Sequence, residues 1–222
     1  MSEAHETLDL EIPEETRTKL LEAAEDVFAE SGFEAATTRE ICRRAGVKNV
    51  GAVNYYFGGK DRLYSEAVKY AMRTCTRGAP FPEWPTGTKP EQKLRDFIRT
   101  MMARMLEIPK AASMTLMMRE MTRHEPTPVT EEVVRENIRP MADLLGKILE
   151  ELLPELPHQK RILIAFSIVG QCLYYRQNRA VGEVLFGQEI TSRFSAEYLA
   201  EHIAEFTLAS LRALKRKPKV TS

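Results

Sequence analysis

Asn54, Tyr55, Tyr56 and Lys60 close the stretch that runs from Thr37 to Lys60, and they combine an amide, two phenols and an ammonium within two helical turns. Those groups suit the major groove of DNA. An Asn amide can pair bidentately with an adenine edge, and the small Ala52 can touch a thymine methyl. The hydroxyl of Tyr55 or of Tyr56 can reach a phosphate, which sets register without reading sequence. Spacing leaves open which of the two faces DNA and which packs. Lys60 follows Gly58 and Gly59 at the start of a further helical run, where its ammonium and free backbone N–H groups both suit a phosphate. Thr38, Arg39, Lys48, Asn49 and Gly51 complete the candidate DNA-contacting set.

Two short helices must position these groups. Thr37 and Thr38 are good N-caps, because a hydroxyl accepts from an orphan first-turn N–H. Ile41, Cys42 and Ala45 then make one buried side, Gly46 ends the helix as a left-handed residue, and Val47 plugs the turn. A second helix over 50–57 carries Val50, Val53 and Phe57 at helical spacing, with Phe57 as a buried wedge. Two short helices joined by a Gly-containing turn are the sequence form of a helix-turn-helix. A first helix, Glu14 to Ser31, presents Leu20, Ala24, Val27 and Phe28 and stops at Gly32. A long helix from Lys60 to Arg77 follows, with Leu63, Tyr64, Ala67, Val68 and Ala71 on one side.

The elements ESGF at 30–33, T-T-x-x-I-C-x-x-A-G-V from Thr37 and Y-Y-F-G-x-K-x-x-L-Y from Tyr55 resemble the DNA-binding domain of TetR/AcrR-family transcriptional regulators over residues 13–72. The interval from Val47 to Asn54 is one residue longer than the usual pattern, which alters the side chains that open the second helix. The resemblance implies an all-helical homodimer, with a three-helix DNA head, a connecting helix and a variable helical body that binds ligands. The expected fold class is therefore all-α: an N-terminal helix-turn-helix domain and a C-terminal helical bundle for ligand binding and dimerisation. The expected segments are a flexible arm at 1–13, the DNA-binding domain at 14–77 with its connecting helix at 60–77, a linker at 78–90, the body at 91–215 and a basic tail at 216–222.

Charge agrees once it is read locally. The chain of 222 residues has 32 Lys and Arg against 32 Asp and Glu, for a net charge of +0. Residues 1–36 are acidic, with Arg17 and Lys19 as their only Lys or Arg. From Thr37 the sign reverses, with Arg39, Arg43, Arg44, Lys48, Lys60, Arg62, Lys69, Arg73 and Arg77 against Glu40, Asp61 and Glu66. A local basic face is what counterion release requires. There is no apolar run of membrane-spanning length, and the first residues do not read as a secretory signal. Cys42, Cys75 and Cys172 are far apart without metal-ligand spacing, which fits a reducing cytoplasm.

Proline punctuates the body. The stretch 78–90 is rich in Pro and Gly and holds the only Trp, Trp84, which is expected to pack over the body. Helical patterns follow over 92–108, 110–123, 129–153 (with Pro140 as a kink or helix start), 158–179 and 195–215. Arg119 to Pro128, R-E-M-T-R-H-E-P-T-P, resembles a body segment of one TetR subgroup. The methionines crowd between Met101 and Met121. Met101, Met105, Met117 and Met121, faced by Phe166 and Tyr174, are the candidate wall for a small hydrophobic effector, because Met adapts to ligand shape; the same spacing also suits a plain helical core. Ile162, Val169, Leu173, Leu199, Ile203, Phe206 and Ser210 on the last two long helices are the candidate dimer face, as the resemblance implies for paired C-terminal helices.

These observations point to a sequence-specific DNA-binding regulator, a repressor released from a palindromic double-stranded operator by that effector. The alternative is a helical ligand-binding or architectural protein without operator preference. An enzyme fits poorly: His5, His124, His158 and His202 lie in separate segments, without zinc-ligand spacing, a phosphate loop or a nucleophile elbow. No catalytic residue, metal or cofactor is expected.

Overall fold

The structure is a computed structural model that describes residues 14–107 and 110–216. The arm at 1–13 and all but the first residue of the basic tail lie outside the described residues. The described elements are helical, with no strand among them.

The head consists of α1 (Glu14–Ala35), α2 (Thr38–Arg44) and α3 (Ala52–Phe57). Its core gathers Leu20, Ala24, Val27 and Phe28 from α1, Ile41 and Cys42 from α2, and Val53 and Phe57 from α3. Gly32 breaks α1 at φ 76°, a conformation that a Cβ disfavours. The connecting helix α4 (Lys60–Arg77) has the bounds that its spacing predicts, and it buries Leu63, Tyr64, Ala67, Val68 and Ala71. The Tyr64 ring stands edge-on to Phe28 and Phe33, with centroids 5.0 and 5.1 Å away.

The Pro-rich linker lies on the body. Trp84 donates its indole N–H to Asp96 at 3.0 Å, and Phe81 stacks on Phe97 at 4.8 Å beneath the Arg104 guanidinium. The body comprises α5 (Pro90–Leu106), α6 (Ala111–Met121), α7 (Pro128–Val133), α8 (Arg139–Leu152), α9 (His158–Gln177), α10 (Arg179–Phe186), α11 (Gln188–Thr191) and α12 (Ala196–Arg216). Between α7 and α8 the chain widens into a π turn, Val134–Ile138. Pro140 has no N–H to return to the carbonyl four residues back, so the regular ladder cannot run through this point. The pair α10 and α11 fills a region to which periodicity assigns no element.

α12 packs along α5, held at its rim by Arg99 to Glu197 at 2.8 Å and by an Arg95–Glu201 ion pair. α6 leaves the bundle and packs against α1 and α4, so one body helix bears directly on the head.

Candidate nucleic-acid interface and its mount

Thr37 caps α2: its hydroxyl accepts from the Glu40 N–H at 3.1 Å. Glu40 does not reach back in a capping box. It binds Arg43 at 2.7 Å and Arg44 at 2.8 Å, and Arg44 continues to Glu30 on α1 at 2.7 Å. These side chains lie at the protein surface, and the two guanidiniums hold the Glu40 carboxyl down to about 2. Two of the bases that make the segment cationic are therefore neutralised locally. Arg39 and Lys48 are exposed and form no ion pair among the described residues, so both keep their positive charge available beside the motif.

Gly46 carries the left-handed turn at φ 68°. Asn49 then organises the entry to α3: its side-chain oxygen accepts from Gly51 N–H at 2.9 Å, and its carbonyl accepts from Ala52 N–H at 3.1 Å. Asn49 is spent on the turn, a role that its spacing alone did not show. On α3 itself, Asn54 and Tyr55 are exposed, Tyr55 at 64%, while Tyr56 is half-buried against the core. Tyr55 is thus the outward phenol, and Tyr56 is the packing one.

Ala52 and Val50 exchange the roles expected of them. Ala52 is buried and cannot meet a thymine methyl, whereas Val50 is 46% exposed. The reason is the start of α3: the helix begins at Ala52, so the turn around Asn49 carries Val50 outside the buried stripe. Thr38 sits half-buried in the first turn of α2, and Gly51 is exposed. Lys60 is committed in part, since its ammonium donates to the Glu34 carbonyl at 3.2 Å and lies 4.6 Å from the Phe33 ring centroid.

The head is mounted on the body through α6. Lys110 reaches Glu25 at 2.5 Å and Asp26 at 3.2 Å on α1. Arg119 donates to the Glu30 carbonyl at 3.3 Å, and its guanidinium lies where a Cβ on Gly32 would stand only 3.0 Å away. Next to Arg119 in the chain is Glu120, fully buried. Its carboxylate accepts from Tyr64 at 2.7 Å and from Thr127 at 2.5 Å, and also from Thr130. Burial alone would push this carboxyl up, but the bonds from Thr127, Thr130 and Tyr64 outweigh it and hold it below the ordinary carboxylate value. Thr127 and Thr130 also form the capping box of α7. The segment R-E-M-T-R-H-E-P-T-P is therefore a joint in which one carboxylate ties α4, α6 and α7.

The comparisons with known proteins cover both the head and the body. Residues 20–67 match the model of the TetR family of bacterial regulatory proteins, and residues 90–214 match that of the C-terminal domain of the HTH-type transcriptional dual regulator CecR. The chain belongs to the TetR family. It is 47% identical over 57 residues to the dual regulator CecR of Shigella flexneri, covering 26% of this chain and 25% of that protein. It is 40% identical over 52 residues to the transcriptional repressor AcnR of Corynebacterium efficiens, covering 23% and 27%. The matched part thus spans about a quarter of these curated relatives. A TetR-like transcriptional regulator from Rhodococcus sp. RHA1 shares the fold at TM-score 0.61 and 18% identity, over 91% of this chain and 97% of that one. A second transcriptional regulator from Rhodococcus does so at TM-score 0.59 and 22% identity, over 89% and 96%. The relatives that the chain matches are named transcriptional regulators, a non-enzymatic family.

In this TetR-family chain the methionines are packed. Met101, Met105 and Met117 are buried in the core and Met121 half-buried against it. The body's cavity, of about 350 Å³, is lined by Tyr174 but by none of these four nor by Phe166, which is 72% exposed. The candidate dimer face also divides. Leu199 and Ile203 are buried within the chain, where α12 meets α5, because that side of α12 is the one that its own bundle needs. Val169 and Leu173 are half-buried, and Ile162, Phe166, Phe206 and Ser210 are exposed. Leu163 and Tyr198, which the spacing did not single out, are also exposed. All three cysteines are buried and free of disulfides, and burial pushes the Cys75 and Cys172 thiols up to about 12, which keeps them protonated. No described helix is long and apolar enough to cross a membrane.

Proposed function

We propose that this TetR-family regulator acts as a homodimer that represses from a palindromic double-stranded operator and lets go when a small hydrophobic effector binds the body. One observation carries the reading. The tip of the head leaves Arg39, Lys48, Asn54 and Tyr55 exposed, while α9 and α12 leave Ile162, Phe166 and Phe206 uncovered at the other end of the chain. Exposed polar groups on α3 suit base edges, and Arg39 and Lys48 suit phosphates. Apolar faces on two long C-terminal helices suit an isologous four-helix interface. Such a dimer would present two copies of α3 to successive major grooves about 34 Å apart. Repression is favoured by the AcnR relative, which is named a repressor; the CecR relative is named a dual regulator. The protein would work in the cytoplasm, where the DNA is.

An effector releases DNA only by the difference in its affinity for the bound and free forms, typically about 1–3 kcal/mol of coupling. α6 is the natural carrier, since it belongs to the body and holds α1 and α4. Selection of bound sequences from a random DNA pool tests this reading. The expected product is an inverted repeat with half-sites one helical turn apart, and an unstructured or single half-site would overturn it. Phe206→Glu should yield monomers by sedimentation and lose the cooperative complex; unchanged DNA affinity in a monomeric variant would remove the dimer from the mechanism.

A further inference from the structure

The body's cavity is lined by the ends of four elements. Leu106 and Glu107 stand at the end of α5, Tyr174 and Tyr175 at the end of α9, and Leu199 on the first turns of α12. The fourth wall is the α10–α11 arm, with Val181, Leu185 and Phe186. Its volume of about 350 Å³ is in the range of small-molecule sites. The arm buries none of its own residues, and Leu185 and Phe186 remain 66% and 61% exposed. An apolar occupant would supply the contacts that the arm lacks.

The polar groups around the cavity define the occupant. Asn178 and Ser192 in its lining already donate to the Tyr174 and Glu189 carbonyls, and Ser195 accepts from the Tyr198 N–H, which leaves the Asn178 amide oxygen, the Ser192 oxygen and the Ser195 O–H for a ligand. Arg179 is already neutralised by Glu183 at 3.3 Å. Glu107 is exposed and has no ion pair among the described residues, so the unpaired charge of the lining is negative. The geometry points to this cavity, rather than the methionine core, as the effector site, and to a ring-bearing apolar compound with a hydrogen-bonding edge and no negative charge as its ligand. The inference rests on the effector-release reading above and gives it a place. Glu107 caps the end of α5, and the chain re-enters helix at Ala111 as α6, the helix that holds the head through Lys110, Arg119 and Glu120. Displacement of the α5 end by a ligand therefore bears on the mount itself.

The neutral fluorophore N-phenyl-1-naphthylamine and its sulfonated anion, 1-anilinonaphthalene-8-sulfonate, share one ring system and differ in charge. The full chain should bind the neutral dye at least tenfold more tightly. Gly182, on the cavity wall, has only the Thr191 methyl within 4 Å of an added Cβ, at 3.9 Å, so Gly182→Phe fills the space. That variant, checked for native helicity and melting temperature, should lose neutral-dye binding at least tenfold; Phe186→Ser, which opens the wall from an exposed position, should weaken it as well. Glu107→Gln should narrow the gap between the two dyes several-fold. Dye binding unchanged in both cavity variants, or a preference unmoved by Glu107→Gln, overturns the assignment. Operator anisotropy separates the two readings. Dye-driven release that persists in Gly182→Phe overturns the cavity and keeps effector control, whereas cavity-dependent binding without release keeps the cavity as a ligand site and overturns its control of DNA.

Discussion

Glu40 at the tip of the head and Glu120 beneath it each gather several donors, and both carboxyls are held below their ordinary value. Their surroundings differ. Glu40 lies at the surface with Arg43, Arg44 and Glu30, in a network within the head that water and salt can replace. Glu120 is fully buried, and its hydroxyl partners come from α4 and α7, which it ties to its own helix α6. Exposed ion pairs contribute little, whereas removing one partner of a buried, hydrogen-bonded charge leaves the others unsatisfied. The surface network therefore trims the charge that the head shows to DNA, and the buried one joins the head to the body.

Breaking the buried centre should have the largest effect. Glu120→Ala strands the Tyr64, Thr127 and Thr130 hydroxyls and should cost about 3 kcal/mol in urea unfolding. Glu40→Ala should shift the urea midpoint far less, since its pairs are exposed and screened; equal losses from the two would erase the contrast. On the DNA side, Asn54→Ala should weaken operator binding by about tenfold, roughly 1–3 kcal/mol, and relax one base position without shifting the melting temperature. Lys48→Ala should weaken all sequences alike and lower the slope of log affinity against log salt by about 1. Thr37→Ala removes the cap of α2 and should cost about 1 kcal/mol by thermal unfolding.

Acid sharpens the same comparison. Both folded-state pKa values are depressed, so each carboxylate contributes stability that is present above its unfolded value and lost as pH falls through its folded one. For both, that window lies below the ordinary carboxylate range, near pH 4.5 and downward. The Glu40 contribution should vanish in high salt at any pH. The Glu120 contribution should survive salt and flatten in Glu120→Gln, as followed by urea midpoints between pH 5 and about 2. Acid loss that is salt-sensitive in both would contradict the burial argument.

How legible the chain was depends on whether a role is local. Gly32, Thr37 and Gly46 act through their own backbone or that of near neighbours, and the bounds of α4 follow from one apolar stripe, so these features were plain in the residues. Ala52 and Val50 were misread because α3 begins only at Ala52, which leaves Val50 in the turn, while Val53 and Phe57 keep the buried places that their spacing predicts. Leu199 and Ile203 were misread because a stripe reports that a face is buried, not which partner buries it. The α10–α11 arm was missed because its helices are only 8 and 4 residues long and are separated by Gly187, too short for a periodic stripe to stand out.

By itself, then, the sequence determined the helical class, the helix-turn-helix, the family and the outward chemistry of Asn54, since propensity, capping and a spaced motif are written in consecutive residues. Tertiary structure decided the rest. It chose Tyr55 over Tyr56, spent Asn49 on a turn, packed the methionines into the core and placed a cavity under the arm. It also brought Tyr64 to Glu120 across more than fifty residues of chain. Such meetings depend on how whole helices pack, and packing is a property of every face at once.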